Sequence, residues 1–181
     1  MQASRFLVLS FSVLLLATSA PAGADKASDE QLAADVRDAM GRFQEKDNTF
    51  EASLEKLVGY AIFPEVAKGG LIVGGAGGQG EVYEQGKLIG HAQLTQGTLG
   101  AQIGGQKFAE IIMFKTKSAL NRFRKNRLEL SAQATATAAD QGAAAKAKYA
   151  DGIAIFILPT AGLMVEASIG GQKLKFSPLK E

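Results

Sequence analysis

The chain has 181 residues, 46% hydrophobic and 21% charged, with 20 Lys and Arg against 18 Asp and Glu. This is globular composition with room for one domain and a real core, and the near-balance of charge excludes bulk nucleic-acid binding, which needs a strong basic excess. The absence of cysteine excludes thiol catalysis, thiolate metal sites and a lipid-modified N-terminal cysteine, and the single histidine, His91, leaves a His-rich metal centre or a His-dependent triad almost nothing to work with, so no cofactor or metal is expected.

Arg5, the apolar run Phe6 to Ala17 and the small residues Ala22-Gly23-Ala24 read as a secretory signal peptide over residues 1–24, with an apolar core too short to span a bilayer. Cleavage after Ala24 would start the mature chain at Asp25 and leave 19 basic against 18 acidic residues. The expected address is a bacterial periplasm or the medium, compatible with peripheral attachment to a membrane.

Residues 25–181 read as one domain, helical over 28–58 and β-rich over 60–176. Ser28-Asp29-Glu30-Gln31 has the form of a capping box, and Leu32, Val36, Met40 and Phe43 follow at helical spacing. The opposite face carries Asp35, Arg37, Asp38, Arg42 and Glu45, a mixed set that suits core packing better than a membrane surface. A second helix is predicted from Phe50 to Val58, capped by Asp47, Asn48 or Thr49 and closed by Gly59.

From Gly59 to Phe114 short apolar runs alternate with glycine clusters, the punctuation of strands that bend or approach another backbone closely. Pro64 and Gly69-Gly70 predict a bracketed turn, and Gln85-Gly86 a hairpin between Glu81–Tyr83 and Leu88–Thr95. Gly75-Ala76-Gly77-Gly78-Gln79-Gly80 matches the dinucleotide fingerprint literally, but Glu81-Val82-Tyr83 reads as strand where that fingerprint needs a helix, and no acid lies between Leu94 and Phe108. The expectation is a sheet, with no Rossmann site.

Beyond Phe114 the character changes. Ala119, Leu120 and Phe123 fall at helical spacing, with Thr116 or Ser118 as cap, and Lys115, Lys117, Arg122, Arg124, Lys125 and Arg127 gather six cations before the first acid, Glu129. Such a cluster is either a solvated face or a contact for anionic lipid head groups. Leu128, Leu130, Ala132, Ala134, Ala136 and Ala138 then alternate with polar residues at strand period, and Asp140 to Lys148 reads as a loop or partly helical excursion. Gly152–Ile157 predicts a strand, Pro159-Thr160 a turn, and Gly162–Phe176 one or two further strands. Ala61-Ile62-Phe63 is echoed by Ala154-Ile155-Phe156, and Ile103–Lys107 by Ile169–Lys173, without the regular period of a solenoid.

The blocks Gly59–Pro64, Lys68–Gly75, Gly97–Gln106, Ala119–Phe123 and Gly162–Met164, in that order, resemble the SYLF domain, with a likeness running from about Leu54 to Phe176. The resemblance implies a lipid-binding module: eukaryotic relatives bind phosphoinositides and other acidic lipids, and some fungal relatives bind actin, a partner not expected in a periplasm. It implies no catalytic residues.

Chemistry by the residues themselves is sparse. His91 is read as structural. Glu65, Glu81, Glu84, Glu110 and Glu166 lie in or beside predicted strands, where two could meet for acid/base work, and Glu110 in Phe108-Ala109-Glu110-Ile111-Ile112 is the first to inspect for burial. The reading is a non-enzymatic α+β domain, two N-terminal helices and one middle helix packed on a glycine-bent antiparallel sheet. It is expected to bind acidic phospholipid through Lys115, Lys117, Arg122, Arg124, Lys125 and Arg127, while apolar residues near the glycine loops contact acyl chains. The alternatives are an envelope structural or protein-interaction role, marked by an apolar patch away from the cations, and an enzyme, marked by two convergent buried acids.

Overall fold

The computed structural model describes residues 22–69, 73–99, 106–128, 130, 135–161, 167–168 and 171–179. Their order is α1 (Ala22–Lys46), α2 (Phe50–Leu54), β1 (Gly59–Gly69), β2 (Val73–Glu84), β3 (Lys87–Leu99), β4 (Gln106–Phe114), α3 (Lys117–Arg124), β5 (Thr135–Ala138), β6 (Ile153–Ala161), β7 (Ala167–Ser168) and β8 (Gln172–Pro178). The class is α+β. The sheet runs β7-β5-β6-β4-β1-β2-β3-β8, and its pairs are antiparallel except β5 on β6, which is parallel, so the all-antiparallel expectation is corrected there.

Both faces of the central strands are covered, which explains why β4 reads as a nearly continuous apolar run. Phe108, Ile112 and Phe114 point to one face with Phe63, Val82, Leu94, Ile157, Leu174 and Phe176, and α3 adds Ala119, Leu120 and Phe123. Ala109, Ile111 and Met113 point to the other with Ile62 and Phe156, under Val36, Ala39 and Phe43 of α1 and Phe50 of α2.

The sheet curls around the first face. β4 and β8 stand four strand spacings apart, about 19 Å if flat, yet Gln172 of β8 hydrogen-bonds Glu110 of β4 at 3.0 Å. Phe123 likewise touches Phe114 of β4 and Phe176 of β8, with ring centroids 5.0 and 6.1 Å away, so α3 plugs one end of the curl. Close strand approach on the inner side demands missing side chains: a Cβ at Gly80 would stand 2.3 Å from the Ile62 carbonyl oxygen, and one at Gly90 2.4 Å from that of Ser177.

Local expectations meet mixed outcomes. Gln85 and Gly86, with φ of 50° and 76°, form the predicted hairpin turn, and Thr116 caps α3 by accepting from Ala119 N at 3.2 Å. The dinucleotide-like glycines lie inside β2. α1 passes through Ser28 instead of starting there, and α2 ends at Leu54, short of Val58. Pro64 and Pro159 sit within β1 and β6, not in turns, each beside a register shift that spares the ladder the amide proline lacks. The two Ala-Ile-Phe copies flank β4 with opposite facing, since Ile62 and Phe156 share the outer face. Of the predicted Leu128–Ala138 strand, Thr135–Ala138 is strand, while residues 129 and 131–134 lie outside the described residues, as do 103–105 and 169–170 of the second echo, Glu166 and the whole Gly162–Met164 block.

Candidate functional site

Register places α3 in the fold. Gly59 pairs with Glu84 and Phe114, Phe114 with Ile153, and Glu84 with Lys87, so these strand termini form one end of the sheet, where α3 follows β4. Burial of Ala119, Leu120 and Phe123 fixes the rotation of α3. Lys117, Asn121, Arg124 and Lys125, at i, i+4, i+7 and i+8, consequently share its exposed side. Arg122 and Arg124 in the last turn also suit the negative end of the helix dipole.

The six cations do not form one uniform patch. Lys117, Lys125 and Arg127 are exposed and make no salt bridge to a described residue. Arg124 pairs with Glu84 at 3.2 Å and lies over the Phe176 ring at 5.9 Å. Arg122 is half-buried and donates through Nη2 to the Asp151 carbonyl at 2.8 Å, while Lys115 leaves the helix side for the Tyr149 ring, 5.1 Å away. Lys56 and Lys87, which the sequence reading did not include, flank the same strand termini, as do the acids Glu55, Glu84 and Asp151. Only tertiary pairing shows this, because Lys56 and Lys87 are far from residue 117 in sequence.

Between α3 and β8 lies a cleft of about 510 Å³ lined by Asn121, Arg124, Lys125, Asn126, Phe176 and Pro178. Leu179 follows Pro178 and, at 43% exposure, is the one large hydrophobic residue exposed among those described. The apolar residues expected to join the cations are those near the glycine loops, and residues 70–72 and 100–105 of those loops lie outside the described residues. The flanking strand ends, Gly69 and Leu99, are at the opposite end of strands roughly 35–40 Å long. The basic end has to be considered without them.

The buried acids do not converge. Glu110 points into the curl with Phe108 and Ile112, whereas Glu81 lies on the outer face, accepting from the Tyr83 hydroxyl beside the stacked ring of Tyr60. Burial and then Glu81 raise the Tyr60 and Tyr83 hydroxyls. His91, half-buried in β3, pairs in register with Glu81 and Ser177. Among the described residues no three His, Cys, Asp or Glu side chains gather to hold a metal, and no helix is long and apolar enough to cross a membrane.

Residues 95–178 match the family model described as Ysc84, Las17-binding protein actin regulator. That model is the SYLF domain, matched over this span. The matched span holds β4, α3, β5–β8 and the six cations, while the resembling blocks Gly59–Pro64 and Lys68–Gly75 precede it. A similar protein, Beta cell expansion factor A of Aeromonas veronii, is 32% identical over 75 residues, covering 41% of this chain and 29% of that protein. The chain thus aligns with under a third of that relative's length. SYLF domains are of a lipid- and actin-binding type, and the family is not an enzyme family.

Proposed function

We propose that this SYLF domain is exported and docks, by the end of the sheet that carries α3, on the head groups of acidic phospholipids. The observation that carries the reading is the shared exposed side of α3: Lys117, Arg124 and Lys125 project together beside the cleft under Phe176, with Arg127 following α3, Lys87 at the neighbouring strand terminus and the exposed Leu179 next to Pro178 of that cleft. Each cation close to an anionic surface adds about 1 kcal/mol, and a leucine at the rim adds an apolar contact below the phosphates. Arg122 supports the surface rather than touching it, since its guanidinium is tied to Asp151. Arg124 would exchange Glu84 for phosphate, an exposed pair worth little in water.

The competing roles have less support. An interaction protein of the envelope would present its apolar patch away from the cations, but the exposed Leu179 lies beside them. An enzyme would need convergent acids, and Glu81 and Glu110 are on opposite faces.

The test is co-sedimentation of residues 25–181 with vesicles of phosphatidylcholine alone or with 30% of an anionic phospholipid. Binding is expected to require the anionic lipid and to weaken from low salt to about 0.5 M, where the screening length falls below ~5 Å. Equal binding to both vesicles at low salt would refute the reading.

A further inference from the structure

The interior of the curl holds a group that lipid docking leaves unused. Glu110 has no exposed surface, and its side chain lies on the inner face between those of Phe108 and Ile112. Its donor among the described residues is Gln172 Nε2 of β8, at 3.0 Å, and Glu110 Oε1 and Gln172 Oε1 have no hydrogen-bond partner among them. An ionised carboxylate with a single neutral donor in an apolar core is costly, and the neutral acid is the cheaper form.

No described charge compensates. The inner face receives Phe63 and Val66 from β1, Ala76 and Val82 from β2, Leu94 and Gln96 from β3, Ile155 and Ile157 from β6, Gln172 and Leu174 from β8, and Leu120 and Phe123 from α3. None of these titrates. Lys107, the nearest charge along β4, is exposed and bonded to Glu65 at 2.9 Å.

β8 ends the strand order, so beyond its ladder with β3 its place over β4 depends on inward contacts. Its two halves are held differently. Phe176 N donates to Asn126 Oδ1 at 2.7 Å and the Phe176 ring packs on Phe123, whereas the amino-terminal half reaches across through Gln172 to Glu110.

We propose that Glu110 is a proton-binding site that works as a clasp: carrying its proton it lets the amino-terminal half of β8 pack dry over β4 beside Gln172, and on losing it draws water to the carboxylate and releases that half-strand. Burial pushes the Glu110 carboxyl up to about 7, with the Gln172 hydrogen bond opposing the rise. A carboxyl raised by folding contributes stability that is complete below its unfolded pKa and is lost as the pH rises through about 7. The clasp therefore holds in mildly acidic surroundings and slackens in mildly alkaline ones. It stands independently of lipid docking.

The test is amide hydrogen exchange of residues 25–181 in solution without lipid, from pH 5.5 to 8.5, with rates corrected for intrinsic chemistry. In peptides covering Gly171–Lys175, protection is expected to fall by up to about tenfold per pH unit from pH 5.5 to about 7 and to level off above it, where closed and open forms are both ionised, while those covering α1 stay level. Glu110→Gln keeps the shape and cannot ionise, so its profile is expected to be flat. Unchanging protection in the wild-type chain, or the same slope in Glu110→Gln, would overturn the proposal. Should that variant fail to fold, the carbon-13 shift of the wild-type Glu110 carboxyl reads the titration directly: a midpoint near 7 supports the clasp and one below 5 refutes it.

Discussion

Asp47 and Glu110 are both buried without exposed surface, one where α1 meets α2 and the other inside the curl, yet their environments drive them to opposite protonation states. Asp47 accepts from Thr49 N at 2.9 Å, Thr49 Oγ1 at 2.6 Å, Gly142 N at 3.0 Å and Ala144 N at 2.7 Å. Burial pushes its carboxyl up, but these bonds outweigh burial and hold it below the ordinary aspartate value. Glu110 has Gln172 alone and is raised. Burial pushes both carboxyls up, much less at Asp47 than at Glu110, and the four donors at Asp47 carry its carboxyl down where the single donor at Glu110 does not. The first is consequently a latch for the 140–147 segment, and the second a group that can change state near neutrality.

The largest effect is expected from Asp47→Ala, which strands four donors at about 1 kcal/mol each and should cost about 4 kcal/mol in urea unfolding at pH 7. Exchange protection should vanish from residues 142–145 first. A loss under 1 kcal/mol would mean that water replaces the carboxylate and that donor number is not what matters. For a lowered carboxyl, the contribution is present above the unfolded value of 3.8 and disappears as the pH falls through the lower folded one.

Glu110→Gln sharpens the comparison from the other side. Between pH 4 and pH 9 the wild-type chain should lose about 3 kcal/mol that the variant keeps, the equivalent of a carboxyl raised from 4.5 to about 7. Identical pH curves would show that Glu110 is solvated. Gln172→Leu is the smallest change, about 1 kcal/mol for one hydrogen bond. It should move the Glu110 midpoint further up, because the Gln172 bond is the influence that lowers it.

Short-range features could be read along the chain. Gln85-Gly86 needs φ above zero at both positions, Thr116 needs three residues to reach Ala119 N, and the apolar runs of β1, β4 and β6 carry their own strand preference. Even Glu110 stood out, as a lone acid in an apolar run. Its partner did not, because Gln172 is 62 residues away and meets it only after the sheet curls. Asp47 looked like a helix cap, but two of its donors come from a turn 95 and 97 residues later. Pro64 and Pro159 suggested turns because the missing amide is visible in sequence, whereas the register shift that accommodates it is a property of the pairing. The basic run was visible as charge, but the contacts of Arg122 with Asp151 and Arg124 with Glu84 divide its cations into supporting and free members.

The most direct test of docking by the α3 end compares two neutralised proteins of equal net charge on anionic vesicles at low salt. One carries Lys117→Gln, Lys125→Gln and Arg127→Gln, and the other Lys107→Gln, Lys173→Gln and Lys175→Gln on β4 and β8. The first should bind at least tenfold more weakly than the wild-type chain, three cations being worth about 3 kcal/mol at the surface, and the second within about threefold of it. Equal losses in the two proteins would contradict the account, because the attraction would then follow total charge and owe nothing to the surface that α3 presents.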